Sequence, residues 1–114
     1  MPQQGEIVLL PVPFTDLSSR KRRPVIVISG DSYHRSTTDM IVVAMTSNPA
    51  RVDYGFVMDS VDLERGRLNR PGTVRVDKIY TLSQSLIAAN FGRVNRAVLE
   101  RIHALLLELL RPQG

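Results

Sequence analysis

Three groups of residues carry most of the chemistry this sequence can offer. They are a run of four cations, Arg20-Lys21-Arg22-Arg23, a threonine closing an apolar run, Thr46, and an arginine and aspartate two apart, Arg75 and Asp77. Arginine keeps its proton in proteins, so Arg23 suits the stabilisation of negative charge in a transition state. It is poorly suited to act as a base. The residue before a proline is biased towards extended backbone, and Arg23 precedes Pro24, which displays its side chain at the mouth of a strand. Residues two apart on a strand share one face, which groups Arg75 with Asp77, and an aspartate can accept a proton. Each group also has an ordinary alternative: a solvated basic loop, a threonine hydroxyl bonded to local backbone, or an ion pair that only shapes the surface.

Composition narrows the chemistry further. Thirteen of the fifteen basic residues are arginine, the net charge is +4 and the pI is about 10.1. A planar guanidinium matches phosphate bidentately, so this bias suits a polyanionic partner. The absence of cysteine excludes disulfides, zinc–thiolate sites and thiol nucleophiles. Only two histidines occur, His34 and His103, both read as structural, so neither a metal site nor a cofactor is expected. The apolar run Leu105–Leu110 is broken by Glu108, far short of the ~20 residues that span a bilayer. Nothing after Met1-Pro2-Gln3-Gln4 resembles a signal peptide, so the expectation is a soluble cytoplasmic protein.

A chain of 114 residues without repeat or linker reads as a single domain, 1–114. Glu6–Val12 reads as a first strand ending near Pro11 and Pro13, and Pro24–Ser29 as a second, buried on both faces. Between them, Thr15–Arg23 reads as an exposed loop. Gly30–Asp39 is turn-rich, with one helical turn around Ser32–Arg35. Met40–Thr46 and Gly55–Met58 read as strands. Asp59–Gly72 is charged and ends in the turn signal Asn69-Arg70-Pro71-Gly72. Thr73–Val76 reads as a strand that Ile79–Leu82 continues. Leu86–Val94 is ambiguous, with Gly92 marking a place where a strand bends or closes against a neighbour. Asn95 is a helix cap, and Val98, Leu99, Ile102, Leu105, Leu106, Leu109 and Leu110 form an apolar stripe at helical spacing, with Pro112 as the stop. Short strands closed by one amphipathic helix predict a small barrel, mainly β with a C-terminal helix.

Several strings, in order, carry a family resemblance. Gly5-Glu6-Ile7-Val8-Leu9 with Pro13-Phe14-Thr15-Asp16 resembles the opening of MazF/PemK toxins. Arg22-Arg23-Pro24-Val25-Ile26-Val27-Ile28-Ser29 is similar to their second strand and Ile41-Val42-Val43-Ala44-Met45-Thr46-Ser47 to their third. Val74-Arg75-Val76-Asp77-Lys78, Leu82 and Gly92-Arg93-Val94 resemble the later landmarks. The resemblance implies an SH3-like (CcdB/PemK-like) barrel and a homodimer with RNA in a groove across it. It also implies an antitoxin partner whose extended segment fills that groove. The implied activity is that of an mRNA interferase, a sequence-selective endoribonuclease that needs no metal or cofactor. The ribose 2′-OH of single-stranded RNA attacks the adjacent phosphate, leaving 2′,3′-cyclic phosphate and 5′-OH ends.

By that resemblance Arg23, Thr46, Arg75 and Asp77 are the catalytic candidates. Arg20, Lys21, Arg22 and Arg51 would hold the RNA backbone, joined by Thr15 and Ser47 in the flanking loops. Phe14 and Tyr80 can stack on bases or pack in the core. Some family members carry a histidine in the first loop, but Asp16–Arg23 has none, which weakens any histidine-based mechanism here. Two alternatives remain: a CcdB-like gyrase-binding toxin, disfavoured because the chain has no tryptophan, and a non-catalytic SH3-like binding module. The basic first loop sets a first expectation. A binding titration with single-stranded RNA should weaken with salt, with a log–log slope near about −0.7 per phosphate neutralised; a flat response would remove the cationic groove.

Overall fold

Val25, Ile26 and Val27 have no exposed surface, and the sheet is organised around the strand they form. The computed structural model describes residues 1–11, 22–47 and 52–114. The strands are β1 (Glu6–Pro11), β2 (Arg22–Val27), β3 (Asp39–Thr46), β4 (Gly55–Met58), β5 (Leu63–Gly66), β6 (Gly72–Ser83) and β7 (Ala89–Val94). They form one antiparallel, curled seven-stranded sheet in the order β4-β6-β3-β2-β1-β7-β5. A short helix, α1 (Asp31–Ser36), links β2 to β3, and a longer one, α2 (Arg96–Leu109), follows β7. The architecture is the expected one: mainly β, a half-barrel closed by a C-terminal helix.

Both faces of the central strands are buried, which is why β2 reads as a continuous apolar run rather than an alternating one. On one face Ile7, Ile26, Val43, Met45 and Val74 meet Val98 and Ile102 of α2. On the other, Val8, Leu10, Val25, Val27, Met40 and Val42 pack together under Tyr80, Leu82 and Ile87. Asn95 caps α2 as its sequence position predicts, its side-chain oxygen accepting from the Val98 N–H at 3.0 Å. Each fully buried aliphatic side chain contributes roughly 1.5–3 kcal/mol, so α2 is held mainly by Val98 and Ile102, with Leu99, Leu105 and Leu106 partly buried around them.

Two polar centres tie distant segments to this core. The His34 ring, 2% exposed, donates from Nδ1 to the Pro2 carbonyl at 2.9 Å and accepts at Nε2 from the Ser29 hydroxyl at 2.6 Å. A carbonyl can only accept, which fixes that tautomer, and His34 serves to pin the N-terminal segment to α1. Glu6 is buried at the start of β1, where it receives the Gln3 N–H, the Asn90 amide and the Arg65 guanidinium. Burial alone would raise its carboxyl, but these donors outweigh it and hold the group below its ordinary value.

The structure departs from the sequence reading in three places. β2 starts at Arg22 and ends at Val27, short of Ser29. The charged stretch after Met58 contains a 3₁₀ turn, Ser60–Asp62, and the edge strand β5. β6 runs unbroken from Gly72 to Ser83, with Ala44 opposite Arg75 but Val43 opposite Ile79. Val76, Asp77 and Lys78 are therefore the extra residues of a bulge. Gly92 does close against a neighbour. It lies opposite Gly66, both with positive φ, and a Cβ on Gly66 would be 2.7 Å from the Gly92 Cα and driven into the Phe91 carbonyl. Gly66→Ala should therefore cost more than about 1 kcal/mol. Gly30→Ala, where an added Cβ meets nothing within 4 Å, should be close to neutral. Urea denaturation of the two variants checks this, and equal midpoints would show that the backbone crossing is not tight.

Candidate active site

The register of the central strands assembles the site. Val25 lies opposite Ala44, and the same pairing carried two residues further sets Arg23 opposite Thr46, both still within their strands. On the far side of β3, Thr46 lies opposite Thr73 of β6. Adjacent strands are about 4.8 Å apart, so one arginine and two hydroxyl side chains line up across three strands on one face. Arg75 lies opposite Ala44, one step along that face, roughly 7 Å from Thr73 by strand rise.

Arg23 and Thr46 also line a single cleft of about 250 Å³ at this end of the sheet, together with Arg22 and Ser47. Its opposite wall comes from the segment 67–72 and from Phe91 on β7. Four arginines, Arg22, Arg23, Arg67 and Arg70, are among the residues lining the cleft, and no carboxylate is among the described residues lining it. Such a surface favours an anion at every point of approach. Among the described residues, no three histidine, aspartate or glutamate side chains gather as a metal-ligating group.

Arg75 and Asp77 form a bidentate ion pair, Nε to Oδ1 at 3.0 Å and Nη2 to Oδ2 at 2.9 Å. The pair runs along one strand, with Asp77 among the extra residues of the bulge. The hydrogen bonds from Arg75 hold the Asp77 carboxyl below its ordinary value, and burial opposes them only in part. The same hydrogen bonds raise Arg75. Tyr80 faces the pair, and burial pushes its phenol up, with Arg75 opposing. Tyr80 also packs on the second core cluster, which accounts for its ring as core rather than as a stacking platform.

The structure thus brings together four of the candidate residues, Arg22, Arg23, Thr46 and Ser47. It places Arg75 and Asp77 on the adjoining step of the sheet, outside the cleft lining. Phe14, Thr15, Arg20, Lys21 and Arg51 lie outside the described residues. Sequence reasoning missed Thr73, which only the β3–β6 register reveals, and it missed Arg67, Asn69, Arg70 and Phe91. The arginines at 65, 67 and 70 around a turn signal were the available clue.

With this geometry in view, the sequence matches the family of PemK-like, MazF-like toxins of type II toxin–antitoxin systems over residues 3–110. The chain belongs to that family. No curated protein sequence matches it. Among solved structures it is similar to an endoribonuclease in complex with its cognate antitoxin from a mycobacterial species, at 23% identity over 100% of both chains with a TM-score of 0.77. It is also similar to a chain of a MazE–MazF crystal (Form III) from Deinococcus radiodurans, at 24% identity over 98% of each chain with a TM-score of 0.78. At such identities the likeness is one of fold.

The ion pair generates a prediction with a definite pH sign. Because the folded Asp77 carboxyl lies below 3.8, its ordinary value, the pair contributes stability above that pH and loses it as pH falls through the folded value. The two side chains are 28% and 33% exposed, so solvent screening limits the contribution to under about 1 kcal/mol. Asp77→Asn should be slightly less stable than wild type at pH 7 and converge with it in acid, as pH falls through the folded value. Urea melts at both pH values test this; a difference that persists in acid would assign the effect to packing.

Proposed function

We propose that this chain is the toxin of a toxin–antitoxin pair, a metal-independent endoribonuclease cutting single-stranded RNA to 2′,3′-cyclic phosphate and 5′-OH ends. The observation that carries the reading is that Arg23 and Thr46 line one cleft together with three further arginines, with no carboxylate among its described lining residues. Two fold relatives support it, one an endoribonuclease in complex with its cognate antitoxin and one from a MazE–MazF crystal. On the same ground we propose a homodimer acting in the cytoplasm and an antitoxin partner. No helix among the described residues is long and apolar enough to cross a membrane.

In the proposed reaction the ribose 2′-oxygen bonds to phosphorus and the bond to the 5′-oxygen breaks. The 2′ proton passes to a base, and the departing 5′-oxygen takes up a proton. Arg23 neutralises charge building on the non-bridging oxygens, and the Thr46 hydroxyl donates a hydrogen bond to one of them. The nucleophile belongs to the substrate, so none is demanded of the protein. It also explains the single-stranded substrate, since the 2′-oxygen must swing in line with the leaving oxygen. Asp77 is the carboxylate on the adjoining step of the sheet. Held ionised but depressed by Arg75, it is a weak base, and its stronger contribution is to hold the Arg75 guanidinium in a fixed orientation.

Incubating purified protein with a long single-stranded RNA in EDTA, and mapping ends by primer extension, tests the proposal. Discrete cuts with cyclic-phosphate ends are expected, and Arg23→Ala should abolish them while fold and RNA binding persist. Intact RNA from a folded wild-type protein would favour the binding-module reading. Full activity in Arg23→Ala would remove that residue from the mechanism.

A further inference from the structure

Resting on that reading, we infer that the wall of the cleft facing Arg23 and Thr46 is a nucleobase subsite, in which Phe91 stacks on a base flanking the scissile phosphate and Asn69 reads its edge. The wall is assembled by the closure of β5 on β7.

The wall is built rather than incidental. Gly66 and Gly92 let the two backbones cross in contact, and the chain leaves that crossing directly into residues 67–71. Leu68 then anchors the segment by packing against the main core cluster. The Ser60 hydroxyl clamps it from both sides, accepting from the Leu68 N–H at 2.9 Å and donating to the Leu68 carbonyl at 3.1 Å. Ser60 is itself fixed in the 3₁₀ turn by a reciprocal cap, the Asp59 carboxylate accepting from its N–H while Asp62 accepts from that of Asp59. With Leu68 drawn inward, its neighbours Arg67 and Asn69 both line the cleft and are exposed.

Phe91 sits on the same wall with 43% of its surface exposed, an arrangement that leaves an aromatic ring open to a planar ligand. The chemistry of the wall matches one nucleotide. An aromatic face stacks on any base, an amide offers a donor and an acceptor to a base edge, and Arg67 and Arg70 flank them for phosphate. The cleft's 250 Å³ lies just under the range of about 300 Å³ upward for sites that take larger ligands, which suits one base rather than several.

Binding and cleavage are measured in parallel. A set of short 2′-deoxy oligonucleotides, which keep bases and phosphates but cannot be cut, is titrated by fluorescence anisotropy with each base in turn beside the central phosphate. Wild type should prefer one base at one flanking position. Phe91→Ala should lower affinity by roughly five- to a hundredfold, with recovery in Phe91→Tyr. Asn69→Ala should flatten the preference with a smaller loss of affinity. Cleavage of a randomised RNA should shift its preference at the same position in both alanine variants. If both variants bind and cut with wild-type preference, the subsite is wrong, the ribonuclease stands, and an acidic peptide becomes the better occupant of this wall. A uniform loss across all sequences in Asn69→Ala also overturns the edge-reading role. If wild type discriminates bases but cuts no RNA, the subsite survives and the ribonuclease reading fails.

Discussion

The pairing of β2 with β3 is the constraint on which the site depends. Side chains alternate across a sheet, so a slip of one residue would turn every side chain of a strand to the opposite face. Here such a slip would drive Val25 and Val27 into the cluster that now holds Ile26, and Ile26 into theirs, and would carry Arg23 away from Thr46. The register is therefore enforced by two hydrophobic clusters, one on each face, rather than by the polar residues at the strand ends. The core sets the geometry, and the polar end of the sheet inherits it. That separation allows Arg23 to sit in the cleft while the free energy of positioning it is supplied by valines and isoleucines several residues away.

The elements whose signals are local were legible in the sequence. β2 and β3 announce themselves by unbroken β-branched runs, α2 by its apolar stripe and Asn95 cap, and Gly92 by being a glycine inside a strand pattern. Arg23 and Thr46 could be singled out because each ends such a run. The rest depends on which segment meets which. β5 is four residues long and carries Glu64 and Arg65, so no periodicity marks it, and only its pairing with β7 makes it a strand. The bulge at Val76–Lys78 is equally silent, since Thr73–Val76 and Ile79–Leu82 read as two strands or one until β3 supplies the rungs. Phe91 and Asn69 are far apart in sequence and share a wall only because β5 and β7 cross at two glycines.

Electrostatics in this protein is arranged by exclusion as much as by attraction. Described carboxylates near the functional end are occupied or turned elsewhere: Asp77 by Arg75, Glu6 by Arg65 and Asn90, and Asp59 and Asp62 by backbone N–H groups of the 3₁₀ turn. None is among the described residues lining the cleft, which include four arginines. The modest net charge of +4 therefore understates the field in the cleft, where charge of one sign is concentrated between low-dielectric walls.

The order of strands in the sheet has a consequence for how the molecule comes into being. β1 lies between β2 and β7, and its first residue, Glu6, is opposite Arg93. The opening strand of the chain thus waits for nearly the last one, and so does the second wall of the cleft. Pairings this remote in sequence close late, because the loop entropy must be lost before the contacts form. A chain emerging N-terminus first can assemble β2 and β3 early yet leave one side of its cleft unbuilt until β7 is free of the ribosome. For a member of a toxin family, that topology withholds a finished site from the nascent chain for as long as β7 is still to be made.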